Sequence, residues 1–263
     1  MELPRPPAAP LTVSALPAGV RSLLADDPRL EEPPRQGRTS RVAFALDAGG
    51  DAVAIKRSTG AHLEQIRREH RALRALLPRD VPAPEPLMFV ERSGPSGPEG
   101  WLVTRRLPGT PLQEVLAAER DPARRASLLA SLGAALAELH VTPPPPAFLG
   151  RDWLDDLLAL SRRLDPSVGA ARLERLRSLR PALAAPALVH GGPFLDNVLV
   201  EGGRVTGLVD WAFAGAGEPR YDLAVAQHGL APFERDAFAG GYGPAALLSA
   251  EEEALFVEVA FLF

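Results

Sequence analysis

Two residue types occur once each in this 263-residue chain: lysine, at position 56 among 29 basic side chains, and asparagine, at position 197. A sequence drifted this far toward arginine and alanine keeps such residues where chemistry needs them, or by chance. Asn197 opens "NVLVEGGRVTGLVD" (197–210), two β-type runs around a glycine turn. Folded antiparallel, the segment brings Asn197, at the start of one run, beside Asp210, at the end of the other. An amide oxygen next to a carboxylate is a hard-oxygen site suited to Mg²⁺, which keeps waters and takes substrate phosphates as its other ligands. Taken alone, the pair is better read structurally, with Asn197 capping a turn and Asp210 capping the segment after its strand. Lys56 closes "VAIK", and Glu69 follows on a helical segment. A lysine ammonium is a compact point charge on a flexible stem, and an arginine fork would not fill the same slot.

The elements that must position these groups are readable in outline. "RVAFAL" (41–46) and "AVAIKR" (52–57), joined by "DAGGD", form a predicted hairpin whose second strand ends at Lys56. In "HLEQIRREHRALRALL" (62–77), Leu63, Ile66, His70, Leu73 and Leu77 recur at helical spacing, with Glu69 flanking that face. "VPAPEP" breaks the helix, because proline lacks the amide and restricts its predecessor. "LMFVER" and "WLVTRRL" read as two more strands separated by the loop "SGPSGPEG". Residues 1–36 are a proline-rich lead-in with one short helix near Val20–Leu24. From Pro108 onward the pattern is helical. Leu128, Leu132, Ala135, Leu136 and Leu139 repeat at helix spacing until four prolines at 143–146 intervene. "DWLDDLLALSRRL", "AARLERLRSL" and "YDLAVAQHGL" are further helices, and the terminal "ALFVEVAFLF" is expected to pack on this part. Strands first and helices afterwards predict an α+β protein in two lobes, joined at "TRRLPG".

The ordered set "VAIK", Glu69, "WLVTRRLPGTPL", "LVHGG", "DNVLV", "GLVDW" and "GEPRYDLA" resembles the aminoglycoside phosphotransferase family, a protein-kinase-like group that includes choline and fructosamine kinases. The resemblance covers residues 34 to 230. It implies a bilobal protein-kinase-like fold, with an N-terminal nucleotide-binding lobe at 1–106 (1–33 as lead-in) and a C-terminal catalytic and substrate-binding lobe at 107–263. It also implies ATP- and Mg²⁺-dependent transfer of the γ-phosphate to a hydroxyl of a small molecule. On these positions Lys56 would meet the α/β-phosphates with Glu69 as its anchor, and Asn197 and Asp210 would be the Mg²⁺ ligands. The backbone of Thr104, Arg105 and Arg106 would face the adenine. Gly37 in "QGRTSR" marks a weak phosphate-covering loop. His190 and Asp222 would brace the catalytic loop.

One position departs from that pattern. Where family members read His-Gly-Asp, this chain reads His190-Gly191-Gly192, so the acid that would orient the acceptor hydroxyl and take its proton is missing. Asp196, four residues on, precedes the metal-ligand asparagine and reads as a loop residue rather than a replacement. Three explanations stay open: a substitution at 192 in an ordinary kinase, another base or a substrate phosphate taking the proton, or a nucleotide-binding pseudokinase. A metallohydrolase site of His190, Asp196, Asp210 and Asp222 is a further alternative that leaves Lys56 and Glu69 unexplained. Asp152, Asp155, Asp156 and the glutamates at 251–253 could line an acidic cleft for a cationic acceptor; as residues near helix N-termini, they are more simply read as solvated caps.

The remaining bounds are restrictive. A net charge of −4 gives no basic surface for nucleic acid, and the absence of cysteine removes disulfides and thiolate chemistry. Six prolines in the first thirty residues and no continuous apolar run predict no export signal, and no segment reaches the roughly 20 apolar residues of a membrane span. A cytoplasmic protein is expected. Its oligomeric state is not legible in the sequence, and continuation of the natural chain beyond Phe263 stays open.

Overall fold

Apolar residues alternating with polar ones in "RVAFAL" and "AVAIKRST" make strands with two different faces, and those faces organise the first part of the molecule. A computed structural model describes residues 10–37, 39–94, 97–182 and 185–263. Residues 1–9 of the lead-in, Arg38 of "QGRTSR" and residues 95–96 of "SGPSGPEG" lie outside the described residues. The chain divides into two compact units, Met1–Pro78 with Pro84–Leu107, and Arg79–Ala83 with Pro108–Phe263.

In the first unit, helix α1 (Ala18–Leu23) precedes β1 (Arg41–Leu46), β2 (Ala52–Thr59), helix α2 (Leu63–Leu76), β3 (Pro86–Gly94) and β4 (Gly97–Arg105). The strands form one antiparallel sheet in the order β1-β2-β4-β3. Val53, Ile55, Trp101 and Val103 point to one face, where Leu11, Leu16, Val20 and Leu24 cover them. Lys56 and Leu102, paired across β2 and β4, lie on the opposite face, which α2 covers. Gly100 lets the helix sit close there: a Cβ would stand 2.7 Å from Leu63 Cδ1 and 2.9 Å from Ile66 Cγ2, and both side chains would have to shift.

Three expectations are corrected here. Strand β2 continues to Thr59, so Lys56 sits inside the strand, paired with Leu102, rather than at its end. The buried face of α2 comprises Leu63, Gln65, Ile66, Glu69, Ala72, Leu73 and Leu76, whereas Leu77 is 45% exposed. A stripe centred on Ile66, Glu69, Leu73 and Leu76 carries Leu77 out to the flank at 100° per residue, and His70 stacks at the edge on Phe89. The third concerns the loop between β3 and β4, which is short, because the two strands stay paired out to Gly94 and Gly97.

The second unit holds α3 (Leu112–Ala118), α4 (Pro122–Val141), α5 (Trp153–Leu164), α6 (Ala170–Ser178), α7 (Pro219–Gln227), α8 (Pro232–Tyr242) and α9 (Ala250–Ala260). Among them run two small sheets: β5 (Thr110–Pro111) with β7 (Val198–Glu201) and β8 (Arg204–Leu208), and β6 (Ala187–Val189) with β9 (Gly215–Gly217). Helices α4 and α8 cross at van der Waals limit, since a Cβ on Gly133 would lie 2.1 Å from the Phe238 carbonyl oxygen. The core joins Trp153, Leu157 and Leu158 of α5 to Tyr221, Ala224 and Val225 of α7 and Phe256 and Val259 of α9. The terminal apolar run is thus a packed helix. Among the described residues no helix is long and apolar enough to cross a membrane.

Candidate active site

In the first unit, the inward turn of Glu69 meets the inward face of β2. Lys56 Nζ lies 2.6 Å from Glu69 Oε2, with the two side chains 17% and 7% exposed. The glutamate therefore does more than flank the helix face: it holds the lysine from within the unit. Gly37 is exposed and has no backbone feature that requires glycine. Thr104 is buried in β4. The amides of Arg105 and Arg106 donate to the carbonyls of Glu85 (2.9 Å) and Ala52 (3.0 Å), so neither is available to a base. The Arg105 guanidinium is tied to Asp47 at 2.5 Å, and Arg106 lies over the Phe44 ring, 3.9 Å from its centroid.

In the second unit, the loop after β6 is held mainly through its backbone. Asp222, fully buried on α7, accepts hydrogen bonds from the amides of His190 (2.7 Å) and Gly191 (2.9 Å). Gly191 has φ 82°, and a Cβ there would lie 2.2 Å from the Phe213 carbonyl oxygen, so this position admits only glycine. The His190 ring packs against Trp211 at 4.4 Å; burial, partly opposed by the charges of Asp222 and Asp210, depresses its pKa and keeps it neutral. Asp222 thus holds the loop backbone at His190 and Gly191, and its own contacts extend further. His140, at the end of α4, places Nε2 3.2 Å from Asp222 Oδ2 and Nδ1 2.8 Å from the Tyr242 hydroxyl. Burial, with Asp222 and Glu218 adding to it, pushes the Tyr242 hydroxyl up to about 12. The sequence offered no signal for His140 beyond its place at a helix end, because its partners are 82 and 102 residues away.

From this brace the chain passes through Gly192 into the hairpin. The Gly192 carbonyl accepts from the Phe194 amide (2.8 Å) and from Asn197 Nδ2 (2.9 Å). With its nitrogen bonded to the loop, the amide oxygen of Asn197 is the atom that could serve a cation. Val198 pairs with Leu208, and the Val209 amide donates to the Asn197 carbonyl at 2.9 Å, which places Asn197 and Asp210 together at the open end of the hairpin. Asp210 is the one non-glycine residue with positive φ (67°) among the described residues. An αL aspartate costs roughly 1 kcal/mol or more and persists where its surroundings fix it. Trp211 secures the following turn by donating its indole N–H to the Leu208 carbonyl at 2.7 Å. An amide oxygen and a carboxylate at one hairpin end fit Mg²⁺, which needs few protein ligands.

Other expectations separate from the site. Asp196 is exposed on the short turn Leu195–Asn197. Among the described residues no three His, Cys, Asp or Glu side chains converge as a metal cage, so His190, Asp196, Asp210 and Asp222 do not form a hydrolase centre. The acids of the expected cleft are largely caps and ion pairs. Asp152 caps α5 and pairs with Arg180, while Asp155 bonds Arg177 at 2.6 Å. Glu252 closes the capping box of α9 and bonds Arg220 at 2.6 Å, and Glu253 bonds Arg235 at 2.7 Å.

A lysine–glutamate pair on an antiparallel sheet, and a braced loop leading into a hairpin with asparagine and aspartate at its end, define a phosphotransferase of protein-kinase-like α+β fold. Comparison with known proteins makes the assignment specific. The chain matches the phosphotransferase enzyme family over residues 31–256 and belongs to it. It is 31% identical over 192 residues to the viomycin phosphotransferase of Streptomyces vinaceus, covering 67% of each chain. The crystal structure of an aminoglycoside-3'-phosphotransferase of type VIII superposes with a TM-score of 0.72 at 23% identity, over 93% of this chain and 97% of that one. A thermostable mutant aminoglycoside phosphotransferase, solved as a ternary complex with ADP and hygromycin B, gives a TM-score of 0.62 at 20% identity, over 90% and 84%.

Proposed function

We propose that the chain is an ATP- and Mg²⁺-dependent small-molecule kinase that transfers a γ-phosphate to a hydroxyl acceptor. The observation that carries this reading is the hairpin end, where Asn197, its nitrogen spent on Gly192, meets Asp210. Lys56, held by Glu69, neutralises the nucleotide phosphates, and the carbonyls of the Thr104–Arg106 stretch face the adenine. Asn197 and Asp210 would hold Mg²⁺, which when bound would supply charge neutralisation of the transferring phosphoryl group. Asp222, through the amides of His190 and Gly191, fixes the loop that leads to position 192.

Gly192 has no side chain to accept the acceptor's proton. A positioned base contributes about 10²–10⁴-fold, while most of the catalysis of phosphoryl transfer comes from positioning and charge neutralisation. Turnover is therefore slow while nucleotide binding is intact, and the proton leaves to a phosphate oxygen or to water. Thermal unfolding with and without Mg²⁺-ATP tests the reading. Ligand at about 100 times its Kd adds ~2.7 kcal/mol, several degrees of Tm. The shift should require Mg²⁺ and vanish in Lys56→Ala; no shift at saturating nucleotide would sink the proposal.

A further inference from the structure

The surroundings of position 192 bear on the acceptor. A Cβ built on Gly192 has only one neighbour within 4 Å, the Phe194 ring edge at 4.0 Å. That ring meets Phe261 edge-on, with centroids 6.2 Å apart, and Phe213, whose backbone touches Gly191, packs on Phe263 at 4.5 Å. Phe194, Phe213 and Phe263 are half-buried against the helical core and Phe261 is 49% exposed, so the Phe194–Phe261 pair leaves apolar surface beside the loop. Because Asn197 is bonded to the Gly192 carbonyl, the same surface adjoins the proposed metal ligand. The titratable side chains close to it are exposed: Asp196 in the loop itself and His228, whose ring lies 5.2 Å from that of Phe261. Of the acids that would attract a polycation, Asp152, Asp155, Glu252 and Glu253 each pair with an arginine.

Resting on the kinase reading above, we infer that the acceptor is an uncharged aromatic hydroxyl compound whose ring lies on the Phe194–Phe261 wall, and that it is not a polycationic sugar. Two independent features converge on this class. Phenylalanine rings favour another ring in offset or edge contact. The missing base favours a hydroxyl that gives up its proton readily, and a phenolic O–H, with pKa about 10, does so far more easily than an alkanol. In the transfer the acceptor O–H bond breaks and its oxygen bonds to the γ-phosphorus. The bond from that phosphorus to the β,γ-bridging oxygen breaks, ADP leaves, and the proton passes to a phosphate oxygen and then to water.

The test uses the whole chain saturated with Mg²⁺-AMP-PNP, whose binding is first measured by itself. Affinity is then titrated calorimetrically for 2-naphthol and for kanamycin, and ADP release is followed with ATP. The inference expects 2-naphthol to bind and to be phosphorylated, and kanamycin to do neither. Phe194→Leu and the surface variant Phe261→Ala should each weaken 2-naphthol binding about tenfold, leaving AMP-PNP affinity within twofold. Binding or phosphorylation of kanamycin, or 2-naphthol affinity unmoved in both variants, overturns the inference while the kinase reading stands. Failure of AMP-PNP itself to bind overturns both.

Discussion

The adjacent glycines of the catalytic loop should respond oppositely to the same substitution. At Gly191, alanine takes on a backbone with φ 82° and a Cβ placed 2.2 Å from the Phe213 carbonyl oxygen and 2.4 Å from its carbon. The left-handed conformation costs about 1–2 kcal/mol, and overlap with backbone that cannot rotate away adds about 1–3 kcal/mol. Relief by moving the loop would break the amide bonds of His190 and Gly191 to Asp222, each to a buried charged acceptor and worth about 1.5–3 kcal/mol. Gly191→Ala should therefore lose roughly 2–5 kcal/mol, a fall in Tm on the order of 4–20 °C for a chain of this size. Gly192 has neither constraint. Its φ lies outside the left-handed region and a Cβ meets nothing closer than the Phe194 ring at 4.0 Å. Gly192→Ala should be neutral, or stabilising by about 0.4–1 kcal/mol through the unfolded chain. Differential scanning calorimetry of both variants beside the parent decides the matter. A Gly191→Ala protein within ~0.5 kcal/mol of the parent, or a Gly192→Ala protein destabilised by more than ~1.5 kcal/mol, would refute the backbone argument.

Three further outcomes follow from side-chain partners. Lys56→Met leaves Glu69 buried without its lysine and should cost about 3 kcal/mol in urea unfolding, while Lys56→Met with Glu69→Leu recovers most of that; a double variant no better than the single would contradict it. His140→Ala should lose about 1–3 kcal/mol and slow turnover through the Asp222 brace, with the Mg²⁺-ATP thermal shift retained; unchanged turnover would remove His140 from the loop machinery. Glu99 is 1% exposed: burial acts to raise its pKa but is outweighed by the Arg92 hydrogen bond and the Arg57 charge, so the net direction is down. A depressed folded-state pKa stabilises above the unfolded value near 4.5 and is lost as pH falls through the folded one, so the penalty of Glu99→Gln should be full at pH 7 and shrink below about pH 4.5. A penalty that grows on acidification would reverse that assignment.

How much of this was readable from residues depends on whether the signal is local. The β1–β2 hairpin, helix α2 and the β7–β8 turn were legible because alternation, helical spacing and glycine turns act within a few residues. Asn197 and Asp210 came together correctly because hairpin pairing fixes register. His140 was not legible as a brace, since nothing local distinguishes a helix-end histidine bonded to Asp222 from one facing water. The lead-in misled for a related reason: proline-rich composition reads as loop, yet Leu11, Leu16, Val20 and Leu24 are spaced to cover the outer face of the sheet. The two- and three-residue strands β5, β6 and β9 carry no period to detect. For the acids at 152, 155, 252 and 253, the cap reading was the stronger one, because helix N-termini attract carboxylates whatever the function.

The loop's construction also bears on how a phosphotransferase can carry glycine at position 192. The hydrogen bonds that shape the loop engage its backbone: the amides of His190 and Gly191 to Asp222, and the Gly192 carbonyl to Phe194 and Asn197. None of these contacts uses the side chain of residue 192. On the kinase reading, loss of a carboxylate there therefore removes proton acceptance without loosening Asn197, so chemistry and fold are separable at this one position. Gly192→Asp should then raise turnover by up to the ~10²–10⁴-fold of a positioned base at little cost in stability, measured as ADP release at saturating Mg²⁺-ATP. A variant that stays folded, binds nucleotide and gains nothing would mean that the loop no longer points residue 192 at the acceptor.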